Sequence, residues 1–159
     1  MPETLPLYSR FRDARDPLVA FVYSSRATRS LSADELKGML QGSRARNYFR
    51  GLTGILVHRD GRFLQYLEGT ADAVEERISR IREDERHRDF TVLLDAPVDE
   101  RLFSDWTMAY EPHDDSAEES SGFGALLDIE HGAPDAGAIM RSVRRTATGL
   151  ADRRQLPSP

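Results

Sequence analysis

Between Leu52 and Glu68 the chain reads as two apolar runs, LTGILVH and RFLQYLE, joined around Asp60-Gly61. An Asp-Gly pair in that position is the signature of a two-residue hairpin turn, whose two central residues need a positive φ that aspartate tolerates and glycine adopts freely. The stretch therefore predicts two antiparallel strands and excludes an all-helical fold. The flanking segments supply the rest of the sheet. Pro17–Ser25, PLVAFVYSS, is an apolar, β-branched and aromatic run of strand length. Ser32 precedes Asp34 and Glu35, with Leu36, Met39 and Leu40 at helical spacing, so a helix starts there and runs toward Tyr48. A second helix is predicted over Thr70–Arg86, with Thr70 as its N-cap and Val74, Ile78 and Ile81 as its apolar stripe. Phe90–Leu94 and Trp106–Tyr110 add two strands across a polar connection containing Pro97. The order βαββαββ predicts an α+β class, a ferredoxin-like sheet with both helices on one face.

The organisation expected is an N-terminal extension over 1–16, a domain over 17–111, an acidic linker over 112–122 and a C-terminal extension over 123–159. In that extension FGALLDI and AIMRSVRRTATGL each suit a short amphipathic helix, the second with a sparse stripe of Ile139, Val143 and Leu150. Such helices would cover the free sheet face or dock a partner; the alternative is a loosely ordered tail. A total of 159 residues suits one domain. With 22 basic against 27 acidic residues the net charge is -5, which argues against nucleic acid as the main partner. The absence of cysteine removes disulfide scaffolds, thiolate metal sites and cysteine nucleophiles. The first 16 residues hold no apolar run before a cleavage site, so the expectation is a cytoplasmic protein with no membrane partner.

Four polar residues stand in or beside apolar runs: Tyr23 and Ser25 in the first strand, Asn47 near the end of the first helix, and Gln65 in the third strand. Each has an ordinary structural explanation. A strand tyrosine is usually a core aromatic, a strand glutamine usually faces solvent, and an asparagine near a helix end often caps it. Alternation tests the second, because Phe63, Gln65 and Leu67 share one face while Leu64, Tyr66 and Glu68 share the other. Gln65 thus sits between two apolar neighbours. A carboxamide buried there needs partners for two donors and an acceptor.

Taken in order, the residues resemble a BLUF domain, a flavin-binding blue-light sensor module, over about Leu18 to Tyr110. The resemblance rests on LVAFVYSS with Tyr23, NYFRGLTGIL with Asn47, GRFLQYLEG with Gln65, the helix ending REDERH, and SDWTMAY with Trp106 and Met108. It implies a flavin between the two helices, its ring against the sheet and its phosphate end near the terminus of the second helix. FAD is the form implied, with FMN and riboflavin as alternatives. By the same resemblance Gln65 lies between the flavin and Tyr23, Asn47 donates to a ring carbonyl, and Ser25, Ile55, Leu56 and Phe63 line the ring pocket. Arg80, Asp84 and Arg86 match positions that contact the ribityl chain and phosphate, with His87 at the pocket rim. Arg46 departs from the family pattern, standing where many relatives carry histidine or asparagine, and is read as capping the cavity or meeting phosphate. Light is then expected to drive a proton-coupled electron transfer from Tyr23 and a rearrangement of hydrogen bonds at Gln65, relayed through the strand of Trp106 and Met108.

The function so implied is that of a photoreceptor of the short, stand-alone type and not an enzyme. It would form a homodimer or larger homo-oligomer and pass its signal to a separate effector protein. Two other readings compete. An acylphosphatase-like phosphohydrolase would share the layout, but its anion cradle needs glycines where SSRATRS has none. A light-independent adaptor that kept the fold and lost the flavin is opposed by the joint presence of Tyr23, Asn47 and Gln65.

Overall fold

The computed structural model describes residues 17–104, 107–112 and 135–155. The expected N-terminal extension, Trp106, the acidic linker past Pro112 and the FGALLDI helix lie outside the described residues. Five strands, β1 (Leu18–Ala27), β2 (Thr53–Arg59), β3 (Arg62–Thr70), β4 (His87–Val98) and β5 (Ala109–Pro112), form one sheet in the order β4-β1-β3-β2-β5. Helices α1 (Ala33–Arg50) and α2 (Ala71–Glu83) pack on one face, and α3 (Ala136–Gln155) packs on the other. All pairings are antiparallel except β2 with β5, which run parallel. The Asp60-Gly61 turn closes the β2-β3 hairpin with φ of 51° and 72°, as two left-handed central residues require.

β1 is apolar without alternation because both its faces are covered. Phe21 and Tyr23 enter the cluster beneath α1 and α2 with Leu40, Leu56, Phe63, Leu67, Val74, Ile78, Ile81 and Met108. Ala20 and Val22 enter the opposite cluster with Ile55, Val57, Leu64, Tyr66, Leu94, Phe103, Ile139 and Val143. Of the stripe expected of the last helix, Ile139 and Val143 are fully buried against the sheet, while the side chain of Leu150 lies outside what is described; Asp135 caps the helix by accepting from the Ala138 N–H at 2.8 Å. A loose tail is excluded for this segment.

The helix ends follow their caps. Ser32 Oγ accepts from the Glu35 N–H at 3.1 Å, and Thr70 Oγ1 from the Ala73 N–H at 3.4 Å. α1 stops at Gly51, whose φ of 71° turns the chain so that the Gly51 and Leu52 N–H groups reach the Tyr48 and Asn47 carbonyls. That paired closure needs a left-handed residue, which glycine supplies without strain. Asn47 therefore lies inside the last turn, and its side chain is not a cap.

The last two strands differ from expectation. β4 extends to Val98 and includes Pro97, which the sequence assigns to the connection; β4 is an edge strand, where proline is tolerated. β5 begins at Ala109, so Met108 precedes the strand instead of lying within it. β4 and β5 occupy opposite edges, and the segment joining them must cross the sheet. Its crossing is fastened by Glu68, a fully buried carboxylate. Glu68 accepts from the Thr53 and Tyr66 hydroxyls at 2.7 and 3.0 Å and from the Leu102 and Phe103 N–H groups at 2.7 Å each. From there the segment passes from the α3 face, where Phe103 is buried, to the α1 face, where Met108 is buried.

Candidate functional site

β1 and β3 pair with Tyr23 opposite Gln65, so their side chains stand next to each other on the α1-α2 face. The Tyr23 hydroxyl donates to Gln65 Oε1 at 2.5 Å, and Gln65 Nε2 donates to Met108 Sδ at 3.4 Å. All three residues are buried. The carboxamide is thereby oriented from both ends, with oxygen toward the phenol and nitrogen toward the thioether. Burial pushes the Tyr23 phenol well above its usual value, with Arg77 opposing and Asp84 adding to the shift, so the ring keeps its proton. Phe90 stacks on that ring at 4.5 Å between centroids, and the Arg82 guanidinium lies over Phe90 at 4.6 Å.

Two side chains of α1 set the place of Met108. Asn47 Nδ2 donates to the Thr107 carbonyl at 2.7 Å, and Arg44 Nε donates to the Met108 carbonyl at 3.0 Å. Asn47 is fully buried, and its Oδ1 has no hydrogen-bond partner among the described residues. A buried amide oxygen in that state calls for a donor.

The hollow around Tyr23 and Gln65 is lined by Met39, Ser43, Arg46, Leu56, Phe63, Arg77, Ile81, Asp84, Arg86 and His87. Of the residues implied by the family resemblance, Tyr23, Arg46, Leu56, Phe63, Gln65, Asp84, Arg86 and His87 are thus brought together. Ser25 joins them through His87, its Oγ lying 2.8 Å from Nδ1. Ile55 does not join them: neighbouring strand residues point to opposite faces, so with Leu56 toward the helices Ile55 must enter the α3 cluster. Arg80 lies outside the hollow, in a groove between α1 and α2. Asp84 is held down at about 2 by the guanidinium of Arg86, which reaches it with Nε at 3.0 Å and Nη2 at 2.5 Å. Burial pulls His87 below the usual histidine value, favouring the neutral ring.

Arg77 and Arg44 are missed by the sequence reading. Arg77 is three residues past Val74 and four before Ile81 on the buried stripe of α2, a spacing that places it at the edge of the apolar face. Arg44 contacts a segment 64 residues away, which no local pattern reveals.

The polar groups fit a flavin: a planar ring with carbonyl acceptors entering the hollow would meet the second Gln65 N–H and the apolar walls of Leu56, Phe63 and Ile81. Asn47 does not line the hollow, and its Nδ2 goes to the Thr107 carbonyl where the resemblance implies a ring carbonyl, so its Oδ1 is the group left calling for a donor. The free volume of the hollow is about 30 Å³, less than a tricyclic ring occupies, so its lining must rearrange to admit one.

Comparison with known proteins bears on the family and the fold. The sequence model of the BLUF family, described as "Sensors of blue-light using FAD", matches residues 18–109. The photoactivated adenylate cyclase subunit beta of Euglena gracilis is 41% identical over 92 residues, 57% of this chain and 11% of that protein. This chain thus spans about a tenth of that relative's length. Among solved structures, the BLUF protein BlrB in its dark state superposes with a TM-score of 0.68 at 28% identity, covering 85% of this chain and 98% of that one. Klebsiella pneumoniae BlrP1 with FMN and cyclic diGMP gives a TM-score of 0.57 at 26% identity, over 89% of this chain and 37% of that one. The hydrogen-bonded Tyr23-Gln65-Met108 chain lies within the span matched by the family model, and this protein belongs to the BLUF family of blue-light photoreceptors that bind a flavin.

Proposed function

We propose that Tyr23, Gln65 and Met108 form a light-driven hydrogen-bond switch whose output leaves through the segment between Glu68 and β5. The observation that carries this reading is the Gln65 carboxamide, bonded at one end to an oxidisable phenol and at the other to a weak sulfur acceptor. A bound flavin, FAD in the form proposed, supplies blue-light absorption and accepts an electron. Tyr23 is the residue placed to release a proton with that electron and to take both back. Once the phenol no longer donates, the carboxamide is held only at its weaker end, and rotation or tautomerisation reverses the pattern it presents. Glutamate could not do this, because an ionised carboxylate has two acceptors and no donor. Leu56 and Phe63 would hold the ring.

The consequence of that reversal falls on Met108, whose sulfur loses the Gln65 N–H. The carbonyls of Thr107 and Met108 stay tied to α1 through Asn47 and Arg44, so a shift at Met108 is felt at the start of β5. The receiver proposed is a separate effector protein or a second copy of this chain, in a homodimer or larger ring.

The test is an absorption spectrum of the dark-purified protein before and after blue light, beside Gln65→Leu. A flavin band that moves slightly red, recovers in darkness and needs Gln65 is the expected result. Bound flavin with no light response would refute the switch, and a protein that takes up no flavin would return the adaptor reading to first place.

A further inference from the structure

Between α2 and the β4 edge of the sheet lies a groove of about 560 Å³ that shares no residue with the hollow around Tyr23. Its floor is apolar, formed by Val19 and Phe21 of β1 and by Val74 and Ile78 of α2. Its two rims are acidic, with Glu75 on α2 and Asp95 on β4. Both carboxylates belong to exposed residues, and neither has an ion pair among the described residues. Arg82 closes one end, and its guanidinium lies over Phe90, the ring stacked on Tyr23. An apolar floor between two unanswered carboxylates suits a chain segment with apolar anchors and basic flanks, and it repels an acidic one.

The chain supplies such a segment beside the groove. Residues 5–16, LPLYSRFRDARD, carry Leu5, Leu7, Tyr8 and Phe11 as apolar anchors, and Arg10, Arg12 and Arg15 against Asp13 and Asp16. The segment leads into β1 at Leu18, which pairs with Thr70 on one side and Val98 on the other. The chain therefore enters the fold at the end of the groove marked by Val19 and Ala71. The lengths agree. From Ala71 to Arg82, α2 covers about 17 Å at roughly 1.5 Å per residue, and the stretch from Phe11 to Leu18 spans up to about 20 Å when extended. Phe11 can thus reach any point of the floor, and Arg12 and Arg15 pass the carboxylates on the way. A tethered segment also meets the groove at a far higher effective concentration than a separate partner does.

We propose that the groove between α2 and β4 is a docking site for residues 5–16 of the same chain, with Phe11 on the floor and Arg12 and Arg15 against Glu75 and Asp95. The docked segment lies against Arg82, one ring away from Tyr23, so the residues before β1 belong to the wall behind the phenol. The assignment does not depend on a bound flavin and stands apart from the light switch.

The test uses the absence of cysteine, which lets an introduced pair of thiols report a contact without background. In the full chain Phe11→Cys is combined with Ser79→Cys, at an exposed position on the groove wall, or with Thr148→Cys, exposed on α3 across the sheet. Under oxidised glutathione the first pair is expected to close an intrachain disulfide at least about tenfold faster than the second. Glu75→Arg with Asp95→Arg, both at exposed positions, should bring the first rate down to the second while the urea midpoint holds. Raising the salt concentration should slow the first pair as well. Equal rates for the two pairs, or a fast rate that the charge reversals leave untouched, would overturn the assignment. A disulfide-linked dimer in place of the intrachain product would overturn it too, and would give the groove to the segment of a second copy.

Discussion

At the scale of single residues the site is a matter of satisfied and unsatisfied groups. Tyr23 and Gln65 satisfy each other, so Tyr23→Phe should retain flavin and abolish the light-induced red shift, which one difference spectrum would decide. Glu68 illustrates the opposite case, a buried carboxylate that is correct only because its oxygens have four donors. Glu68→Ala strands those donors, each costing about 1–3 kcal/mol when buried, and a loss on the order of 3 kcal/mol or more is expected in urea unfolding. A smaller effect would mean that water reaches the Leu102 and Phe103 amides. His87 gives a pH dependence of definite sign. Burial lowers its folded pKa below the roughly 6.5 of the unfolded chain, and between the two values the unfolded chain binds more protons. Stability from this group is complete above about pH 6.5 and is lost as the pH falls through the folded value; half-buried His58 acts in the same direction. The urea midpoint should drop on acidification, and His87→Gln should flatten the slope. Alternation made Gln65 legible as a carboxamide between apolar neighbours and the family resemblance set it beside Tyr23, whereas Met108 as the third member was not legible, since no periodicity says which residue of a distant segment will end beside an amide.

At the scale of elements the decisive feature is the segment from Arg101 to Met108, pinned at Glu68 and tied to α1 at Thr107 and Met108. If the switch acts through Met108, hydrogen exchange in the lit state should quicken at Thr107 to Ala109, while the Leu102 and Phe103 amides, held by Glu68, stay protected. Uniform change along the segment would place the moving part elsewhere. The hairpin makes a sharper statement. Gly61 has φ of 72°, so Gly61→Val should destabilise by about 1–2 kcal/mol, readable as a lowered Tm, because a β-branched residue resists the left-handed region. The Asp-Gly turn, the Ser32 and Thr70 caps and the stripe of α2 are local, and the sequence predicts them correctly. β5 is displaced from its expected start because its place depends on parallel pairing with β2, a contact across more than 50 residues.

At the scale of the whole molecule α3 converts a two-layer sandwich into three layers. Ile139 and Val143 are fully buried on the sheet face opposite the hollow, so removal of everything after Glu111 would expose the core as well as any docking surface. Point variants separate the two: Ile139→Ala should cost about 2–5 kcal/mol of unfolding free energy, with flavin uptake and the red shift retained in whatever fraction stays folded. Among the described residues no helix is long and apolar enough to cross a membrane. The sequence by itself determined the class of fold, the hairpin, both helices beside the hollow and the face of its strand that Gln65 occupies, because caps, turns and strand alternation are properties of residues a few positions apart; the pairing of Tyr23 with Gln65, 42 residues apart, came from the register of β1 on β3. Only the tertiary structure decided that Ile55 faces away from the hollow, that Met108 touches Gln65, and that Glu68 fastens the crossing segment. It also decided that Arg46 and Arg77 share one wall. Each of these depends on which distant surfaces meet when both faces of one sheet are buried at once, and that is a condition on the whole chain.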